Sequence, residues 1–323
     1  MQIENRFTLP RRIIVAGIML FVFFFTSCGS NGQEQKKQPL RFAFQNRVGS
    51  AIPIVAVKKG FFEKSGIVIQ PLRFNSGPAC AEALYSGSAD VGTMGDTTAI
   101  IASAQNARLK IIASHSTGEH RHRIIVRDGS TLQRLEDLRG NRIAVKKGTS
   151  TFGGLLASLA SNNISLEDVV FVDLSPSIMP DALMAGSIDA FAASEPTPSL
   201  AELRGGRELG TLGGLGNEYP IMMVAQKDLL DERDEDVIRF LQALKNAETF
   251  VLENPEETAM ILAEVTGLTP EVARYAMAKH SYRLRLDEAI MESLNKTAEF
   301  LKDQKIISAI PDFPSVITTR YVQ

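Results

Sequence analysis

Hydrophobic and polar positions along this chain form a pattern that occurs twice. The segment 84–92 (LYSGSADVG) is matched by the segment 183–191 (LMAGSIDAF), and the same offset places Asp96 opposite Glu195. In each copy, apolar runs typical of strands alternate with Gly/Ser/Thr-rich turns and with helical spacing. Any two strand–helix–strand units share some of this periodicity, but the ordered Gly-Ser-x-Asp match favours a true repeat. We therefore predict two similar α/β lobes that hold a ligand between them.

The spacing of apolar residues also predicts the individual elements. A strand at 122–127 crosses from the first lobe to the second and a strand at 218–226 returns, so two crossings form a hinge. The last third is predicted to be helical, to begin helices at the N-caps Asn254 and Thr269, to pack on the first lobe, and to end in a loose tail. The other predicted strands are 40–45, 67–72, 89–93, 109–114, 142–145, 169–172 and 188–192, the predicted helices are 50–59, 77–87, 96–105, 130–138, 148–161, 177–185, one from 197, and 287–302, and the tail is 310–323.

The N-terminus has the features of a targeting segment rather than of folded structure. Three arginines precede an apolar run over 13–25, which is shorter than the roughly 20 residues that a membrane-spanning helix needs. Small residues then stand directly before Cys28, as in bacterial lipoprotein signals. We predict a signal peptide over 1–27, lipid attachment at Cys28 and a flexible tether over 28–39. The alternatives are a plain secretory signal and an uncleaved N-terminal anchor.

Composition narrows the picture further. Removal of the signal peptide leaves 296 of the 323 residues, more than a single hydrophobic core normally holds, which agrees with two lobes. The removed segment carries one acidic and three basic residues, so the formal net charge changes from −2 to −4. This mildly acidic balance argues against nucleic acid as a partner. Lipidation of Cys28 would leave Cys80 as the only other cysteine, so we predict a buried thiol and no disulfide.

Five polar turns follow predicted strands, at the positions where open α/β sheets bind their ligands. The turns are rich in glycine and hydroxyl groups, and they begin helices whose N–H groups and dipole attract anions. Ordinary helix capping is the alternative for any one residue, but recurrence in both lobes favours a binding role for the set. Arg47 and Lys147 add positive charge. The predicted ligand contacts are Ser50, Ser76, Gly77, Asp96, Thr97, His122, Lys147, Thr149, Ser150 and Glu195.

Three of the four histidines stand close together, at 115, 120 and 122. In a strand His120 and His122 share one face whereas Glu119 points the other way, so the spacing does not complete a metal site. A histidine of this cluster, above all His122, or one of its arginines, Arg121 or Arg123, is instead a candidate contact for an anionic ligand, with a solvated hinge surface as the alternative. The sequence lacks a nucleophile elbow, a P-loop and a dinucleotide-binding glycine motif. We therefore predict a protein that is not an enzyme and that has no catalytic residue, metal or cofactor.

Six segments of the chain carry a family resemblance: AVKKGFFEKSGI at 56–67, FNSGP at 74–78, GSADVG at 87–92, DLRGNRIAV at 137–145, DAFAASEP at 189–196 and NPEE at 254–257. Through these segments the chain resembles the nitrate/sulfonate/taurine family of ABC-transporter solute-binding proteins. One departure is that family members often carry Trp before the Glu-Pro pair that stands here at 195–196, whereas this chain has no Trp. That departure bears on the ligand more than on the fold.

The resemblance implies an α/β, two-lobed periplasmic-binding-protein fold (type II-like), with the ligand cleft between lobes joined by two hinge strands. Lobe one would comprise 40–122 and 223–323, and lobe two 123–222. It also implies a monomeric lipoprotein on the extracytoplasmic face of the cell envelope that delivers a small anionic organosulfur compound, sulfonate- or taurine-like, to an ABC permease. Alternatives are a thiamine-precursor pyrimidine, nitrate or bicarbonate as ligand, a sensory role, or an enzyme similar to pyrimidine synthases.

Overall fold

The computed structural model describes residues 38–322. The predicted signal peptide, Cys28 and the tether up to residue 37 lie outside this range, so the predictions for them stay predictions. Among the described residues, no helix combines the length and the hydrophobicity needed to cross a membrane.

Two five-stranded sheets with the same strand order form the framework of this range. The order is β2-β1-β3-β10-β4 in the first sheet and β7-β6-β8-β5-β9 in the second, and the fourth strand of each runs antiparallel to both neighbours. The repeat in the sequence is thus a repeat in the fold, which confirms the prediction of two similar α/β lobes. The strands are β1 (Leu40–Gln45), β2 (Ile69–Phe74), β3 (Val91–Gly95), β4 (Leu109–Ser116), β5 (His122–Arg127), β6 (Arg142–Val145), β7 (Val170–Asp173), β8 (Ala190–Ser194), β9 (Gly206–Thr211) and β10 (Ile221–Gln226).

Helices cover both sheets, and those of the C-terminal third bury their apolar faces on the first sheet, as predicted. Phe240, for example, packs edge-on against Phe42 of β1 with ring centroids 4.8 Å apart, which is an arrangement that aromatic pairs prefer. The α-helices are α1 (Ala51–Lys58), α2 (Phe61–Lys64), α3 (Gly77–Tyr85), α4 (Asp96–Gln105), α5 (Ser150–Ser161), α6 (Met179–Met184), α7 (Thr197–Glu202), α8 (Lys227–Glu232), α9 (Asp234–Glu253), α10 (Pro255–Thr266), α11 (Pro270–Met277), α12 (Glu288–Asp303) and α13 (Phe313–Val316).

Three local predictions are wrong in whole or in part. The helix predicted at 130–138 is reduced to a 3₁₀ turn at Leu135–Leu138, because the Asp137 carboxylate accepts hydrogen bonds from the two backbone N–H groups before that turn. Asn254 is the N-cap residue of α10, as predicted, but its side chain does not cap the helix, since its amide donates to the carbonyl of Phe250 instead. The predicted loose tail is docked: it forms α13, whose apolar side chains are buried in the core of the first lobe.

The chain crosses between the sheets twice, over 117–121 and over 212–220. The two crossings are tied together where Gly118 N–H donates to the carbonyl of Glu218 at 3.0 Å. The second crossing is also attached to the C-terminal helices, since Ser293 Oγ on α12 donates to Asn217 Oδ1. Two paired crossings are the structural requirement for a hinge.

Candidate ligand-binding site

A cavity of about 210 Å³ lies between the two sheets, and both contribute to its wall. The first lobe supplies the segment after β1 and the N-terminus of α3. The second lobe supplies the N-terminus of α5, the segment after β7 and the end of β8. These are the carboxyl ends of parallel strands and the starts of the helices that follow, where α/β sheets bind ligands.

Two helix N-termini in the wall begin with hydroxyl residues. Ser76 Oγ accepts from the N–H of Ala79 at 3.4 Å, and Thr149 Oγ1 accepts from the N–H of Phe152 at 3.3 Å. Both side chains therefore act as ordinary helix caps. Ser150 differs, because its buried Oγ has no hydrogen-bond partner among the described residues. Of the hydroxyl groups at the N-termini of α3 and α5 described here, that of Ser150 is therefore the one available to a ligand.

Two arginines in the wall have no neutralising partner. Arg47 and Arg121 both line the cavity, and neither forms an ion pair with a carboxylate within residues 38–322. Arg121 is 1% exposed and donates only to the neutral oxygens of Ser194 Oγ (2.8 Å) and the Tyr219 carbonyl (2.7 Å). In each arginine the Nε–H is buried and has no partner in the described chain. Asp96 offsets the charge of Arg121 in part without pairing with it. A buried cation that forms no ion pair is costly, so the arrangement fits an anionic ligand.

The pKa values of both arginines reflect this environment. Burial lowers the pKa of Arg47 to about 10. Burial, and then the positive charge of Arg47, lower the pKa of Arg121 to about 9. Both side chains still carry a full charge at neutral pH. They raise the electrostatic potential of the cavity together, which favours an anion there.

His122 provides a neutral donor or acceptor next to these cations. Burial, followed by the charges of Arg121 and Arg47, holds its pKa well below the ordinary value, so the ring is neutral. Nδ1 lies 2.7 Å from Thr151 Oγ1, whereas Nε2 is buried without a partner among residues 38–322. The ring also contacts Tyr219, with centroids 4.6 Å apart. Its position is therefore fixed, and one ring nitrogen is left for the cavity.

Glu195 lines the cavity, but both of its oxygens are occupied. Oε1 accepts from Arg123 at 2.8 Å and Oε2 accepts from Ser199 Oγ at 2.6 Å. Arg123 is 3% exposed and also pairs with two further glutamates, at 202 and 208. This carboxylate belongs to a buried ion-pair network inside the second lobe.

The structure brings six of the ten predicted contacts to the cavity. Four lie outside its wall: Ser50 and Thr97 are buried in the first lobe, the Asp96 carboxylate binds Asn217, and Lys147 is exposed while Lys146 lines the wall instead. The six that line the cavity are Ser76, Gly77, His122, Thr149, Ser150 and Glu195.

Sequence reasoning missed several wall residues. Ser175 and Ser177 follow β7 and obey the same strand-end rule as the others, but their segment was predicted to begin a helix. Thr266 and Leu268 come from the end of α10, far along the chain, and no local signal marks them. Arg121 was named as a candidate of the histidine cluster together with Arg123, but no spacing indicated which of the two would line the cavity.

The two lobes touch at the edge of the cavity. Thr98 Oγ1 of α4 donates to the carbonyl of Gly148 at 2.7 Å, which links the first lobe to the second. Gly95 lies so near Ser150 Oγ that a Cβ at this position would overlap it. Close approach of the lobes therefore depends on residue 95 being glycine, which has no Cβ.

Other chemistries find little support within residues 38–322. No group of three or more His, Cys, Asp or Glu side chains in this range is arranged to hold a metal ion. Cys80 is buried, and burial raises its pKa to about 12, which keeps it in the thiol form rather than as a nucleophilic thiolate.

Comparison with known proteins places this geometry in context. A protein of Bacillus subtilis (strain 168), named provisionally as an aliphatic sulfonates-binding protein, is 26% identical over 316 residues, covering 95% of this chain and 94% of its own. The taurine-binding periplasmic protein of Escherichia coli (strain K12) is 26% identical over 279 residues, covering 81% and 86%. Both relatives are named as binding proteins.

Solved structures agree in fold. The alkanesulfonate-binding protein SsuA of Xanthomonas axonopodis pv. citri, bound to MOPS, superposes with a TM-score of 0.80 at 26% identity, covering 87% of this chain and 98% of its own. The desulfurization enzyme DszB shares the fold alone, with a TM-score of 0.69 at 16% identity and coverage of 87% and 97%. The neighbours have the periplasmic binding protein fold, and the two sheets and the cavity between them match that architecture.

The family model described as NMT1/THI5 like matches residues 49–258, which include the second lobe and much of the first. This segment is more than half of the chain. The chain therefore belongs to the NMT1/THI5-like family.

Proposed function

We propose that this protein is the solute-binding lipoprotein of an ABC importer, and that it binds a small organosulfonate in the cavity between its lobes. The observation that carries the proposal is the pair of cavity-lining arginines, Arg47 and Arg121, which have no carboxylate partner within the described chain. Helix N-termini of both lobes add donors that suit an anion. The sulfonate ligands of the relatives named above support the same choice.

A sulfonate suits these donors for a chemical reason. It is ionised at every physiological pH and presents three acceptor oxygens, so it needs donors and no acceptor for a proton. Arg121 Nε, Arg47 Nε and Ser150 Oγ are buried atoms in the wall that lack a partner in residues 38–322. Charge-assisted hydrogen bonds from such groups are short and strong. Ligand contacts to both lobes would stabilise the closed arrangement.

Delivery and anchoring complete the proposal. The mature protein would be tethered through Cys28 on the extracytoplasmic side, would act as a monomer, and would hand its ligand to permease subunits in the membrane. The lobe boundaries would be those proposed from the sequence, 40–122 with 223–323 and 123–222. These boundaries fall inside β5, which belongs to the second sheet, and inside β10, which belongs to the first sheet.

A thermal-shift screen tests the ligand class. The protein without residues 1–28 is heated with taurine, alkyl and aryl sulfonates, nitrate, bicarbonate, phosphonates or hydroxymethylpyrimidine. A ligand that binds only the folded state raises the Tm with its concentration. We expect a rise with a sulfonate. A rise only with the pyrimidine, or only with nitrate or bicarbonate, would contradict the proposed ligand while keeping the transport role.

A site variant tests the location of binding. Substituting Ser150→Ala removes the unpartnered hydroxyl in the wall, and we expect weaker sulfonate binding without loss of folded protein. Ser161→Ala, at the other end of α5, is the matched control. Equal affinity of the two variants would show that the site lies elsewhere. Turnover of a bound sulfonate by the purified protein would instead indicate an enzyme.

A further inference from the structure

The charges on the cavity wall are unbalanced. The wall contains three full cations, on Arg47, Arg121 and Lys146, and in the described chain a single carboxylate, that of Glu195. That carboxylate is fully buried, and both of its oxygens already accept hydrogen bonds, from Arg123 and from Ser199. A ligand in the cavity therefore meets positive charge without a free carboxylate.

This imbalance matters for any second polar group on the ligand. Proteins hold an alkylammonium with a carboxylate or over the face of an aromatic ring. Within residues 38–322, the cavity wall contains no Phe, Tyr or Trp side chain. The imidazole of His122, which does line the wall, is neutral and lies beside two arginines. Hydroxyls such as that of Ser177 accept hydrogen bonds but do not offset repulsion from the cations. An ammonium group would be disfavoured here, whereas an acidic group would gain a counter-charge.

Lys146 is the cation best placed for that second group. Its ammonium is one-third exposed, and within residues 38–322 it pairs with Asp173 at 3.1 Å, whose carboxylate is itself 41% exposed. A salt bridge in that position is screened by water and is weak. Lys146 therefore retains attraction for an anion in the cavity.

Resting on the proposed function, we propose that this pocket selects organosulfonates whose second polar group is acidic, and that it discriminates against those whose second group is an ammonium. The sulfonate occupies one part of the cationic wall and a carboxylate the other. The cavity of about 210 Å³ has room for a small organosulfonate with a second polar group.

Isothermal titration calorimetry with four sulfonates of similar size tests this at pH 7. The probes are sulfoacetate, 2-hydroxyethanesulfonate, ethanesulfonate and taurine. We expect sulfoacetate to bind at least tenfold more tightly than ethanesulfonate, and taurine at least tenfold more weakly. This order of affinities is a strict test, because a relative of this chain is named as a taurine-binding protein. Taurine binding as tightly as ethanesulfonate, or sulfoacetate binding no better than it, overturns the inference.

A pair of variants tests the part assigned to Lys146. In Lys146→Gln we expect the ratio of sulfoacetate to taurine affinity to fall at least fivefold. Lys302→Gln makes the same change in net charge at an exposed residue on α12, outside the cavity wall, and should leave the ratio unchanged. A ratio that stays the same in Lys146→Gln, or that falls equally in both variants, contradicts the assignment.

The experiment separates this inference from the proposed function. If alkanesulfonates bind but the order among second groups is reversed, the sulfonate site stands and the inference fails. If none of the four sulfonates binds to the wild-type protein, the proposed function fails and the inference fails with it.

Discussion

Arg41 in the first lobe and Arg142 in the second make the same contacts. Backbone N–H and Nε–H of Arg41 donate to Asp90 Oδ2 at 2.8 and 3.1 Å, and those of Arg142 donate to Asp189 Oδ2 at 2.8 and 3.0 Å. Each arginine also donates to the carbonyl of the glycine that stands three residues before its aspartate. The repeated Gly-Ser-x-Asp motif thus ties β1 to β3 in the first lobe and β6 to β8 in the second.

The two lobes differ in whether a buried arginine is paired with carboxylates. Arg123 of the second lobe is almost fully buried and is surrounded by three glutamates, so its charge is neutralised within the lobe. Arg47 of the first lobe has a neutral partner, Gln45 Oε1 at 2.8 Å, and no carboxylate within the part of the chain that is described. The comparison teaches that the presence or absence of carboxylate partners separates an arginine of the framework from a candidate ligand-binding arginine.

The largest effect on stability is expected from removing Arg123, whose charge is neutralised by glutamates. Arg123→Met leaves Glu195, which is 0% exposed, without its counter-charge. Loss of one partner of a buried pair costs about 3–5 kcal/mol of unfolding free energy. Urea denaturation measures it. The double variant Arg123→Met, Glu195→Gln should recover part of the loss, and a single-variant loss under about 1 kcal/mol would contradict the buried pairing.

Removal of the unneutralised arginine should have the opposite signature. Arg47→Gln should weaken sulfonate binding roughly 10- to 100-fold, the range expected for a lost hydrogen bond to a charged group. The free energy of unfolding should stay the same or rise, since an uncompensated cation leaves the interior. Calorimetry and urea denaturation measure the two quantities, with the exposed Arg127→Gln as control. Unchanged affinity together with a large loss of stability would assign Arg47 to the framework.

A smaller loss of stability is expected at the arginine–aspartate contacts that both lobes share. Asp90→Asn and Asp189→Asn make the same change in each lobe. Side-chain exposure is 16% for Asp90 and 27% for Asp189, so water compensates the second loss better. We expect a cost of about 1–2 kcal/mol for Asp90→Asn and about half of that for Asp189→Asn. The reverse order in urea denaturation would argue against burial as the cause.

Near neutral pH the smallest difference is expected from acidification, and it grows as the pH falls. Burial, then the charge of Arg121, lower the pKa of His115 in the first lobe from 6.5 to about 3. The unfolded chain then binds a proton that the folded chain does not, so stability is present above pH 6.5 and is lost as the pH falls toward 3. His115→Leu should reduce this loss by up to about 1.4 kcal/mol per pH unit. The exposed His120→Leu is the control, and equal pH profiles for His115→Leu and the wild type would contradict the prediction.

Much of the fold could be predicted from the sequence because it rests on local patterns. The strands at 40–45, 122–127 and 142–145 have their predicted bounds, since apolar alternation and flanking turns fix them within the segment itself. The edge strand β9 was not predicted, because its residues are only partly buried and lack a clear alternation. The tail was predicted to be loose because its partner, the first core, is distant in sequence.

The site divides in the same way. The strand-end rule found Ser76, Gly77, Thr149 and Ser150 from turn chemistry alone. It could not distinguish Lys146 from its neighbour, since neighbouring residues in an extended segment face opposite ways and the exact end of the strand decides which one faces the cavity.

By itself, the sequence determined two similar α/β lobes, most of their strands and the helix starts that surround the cavity, because these follow from periodicity and short-range turn chemistry. Only the tertiary structure decided the roles of the charges. Asp96 and Glu195 occupy equivalent positions in the repeat, yet the first binds Asn217 of a crossing and the second binds Arg123. Whether a charged side chain is neutralised depends on partners dozens of residues away, and therefore on how the finished lobes bring them together.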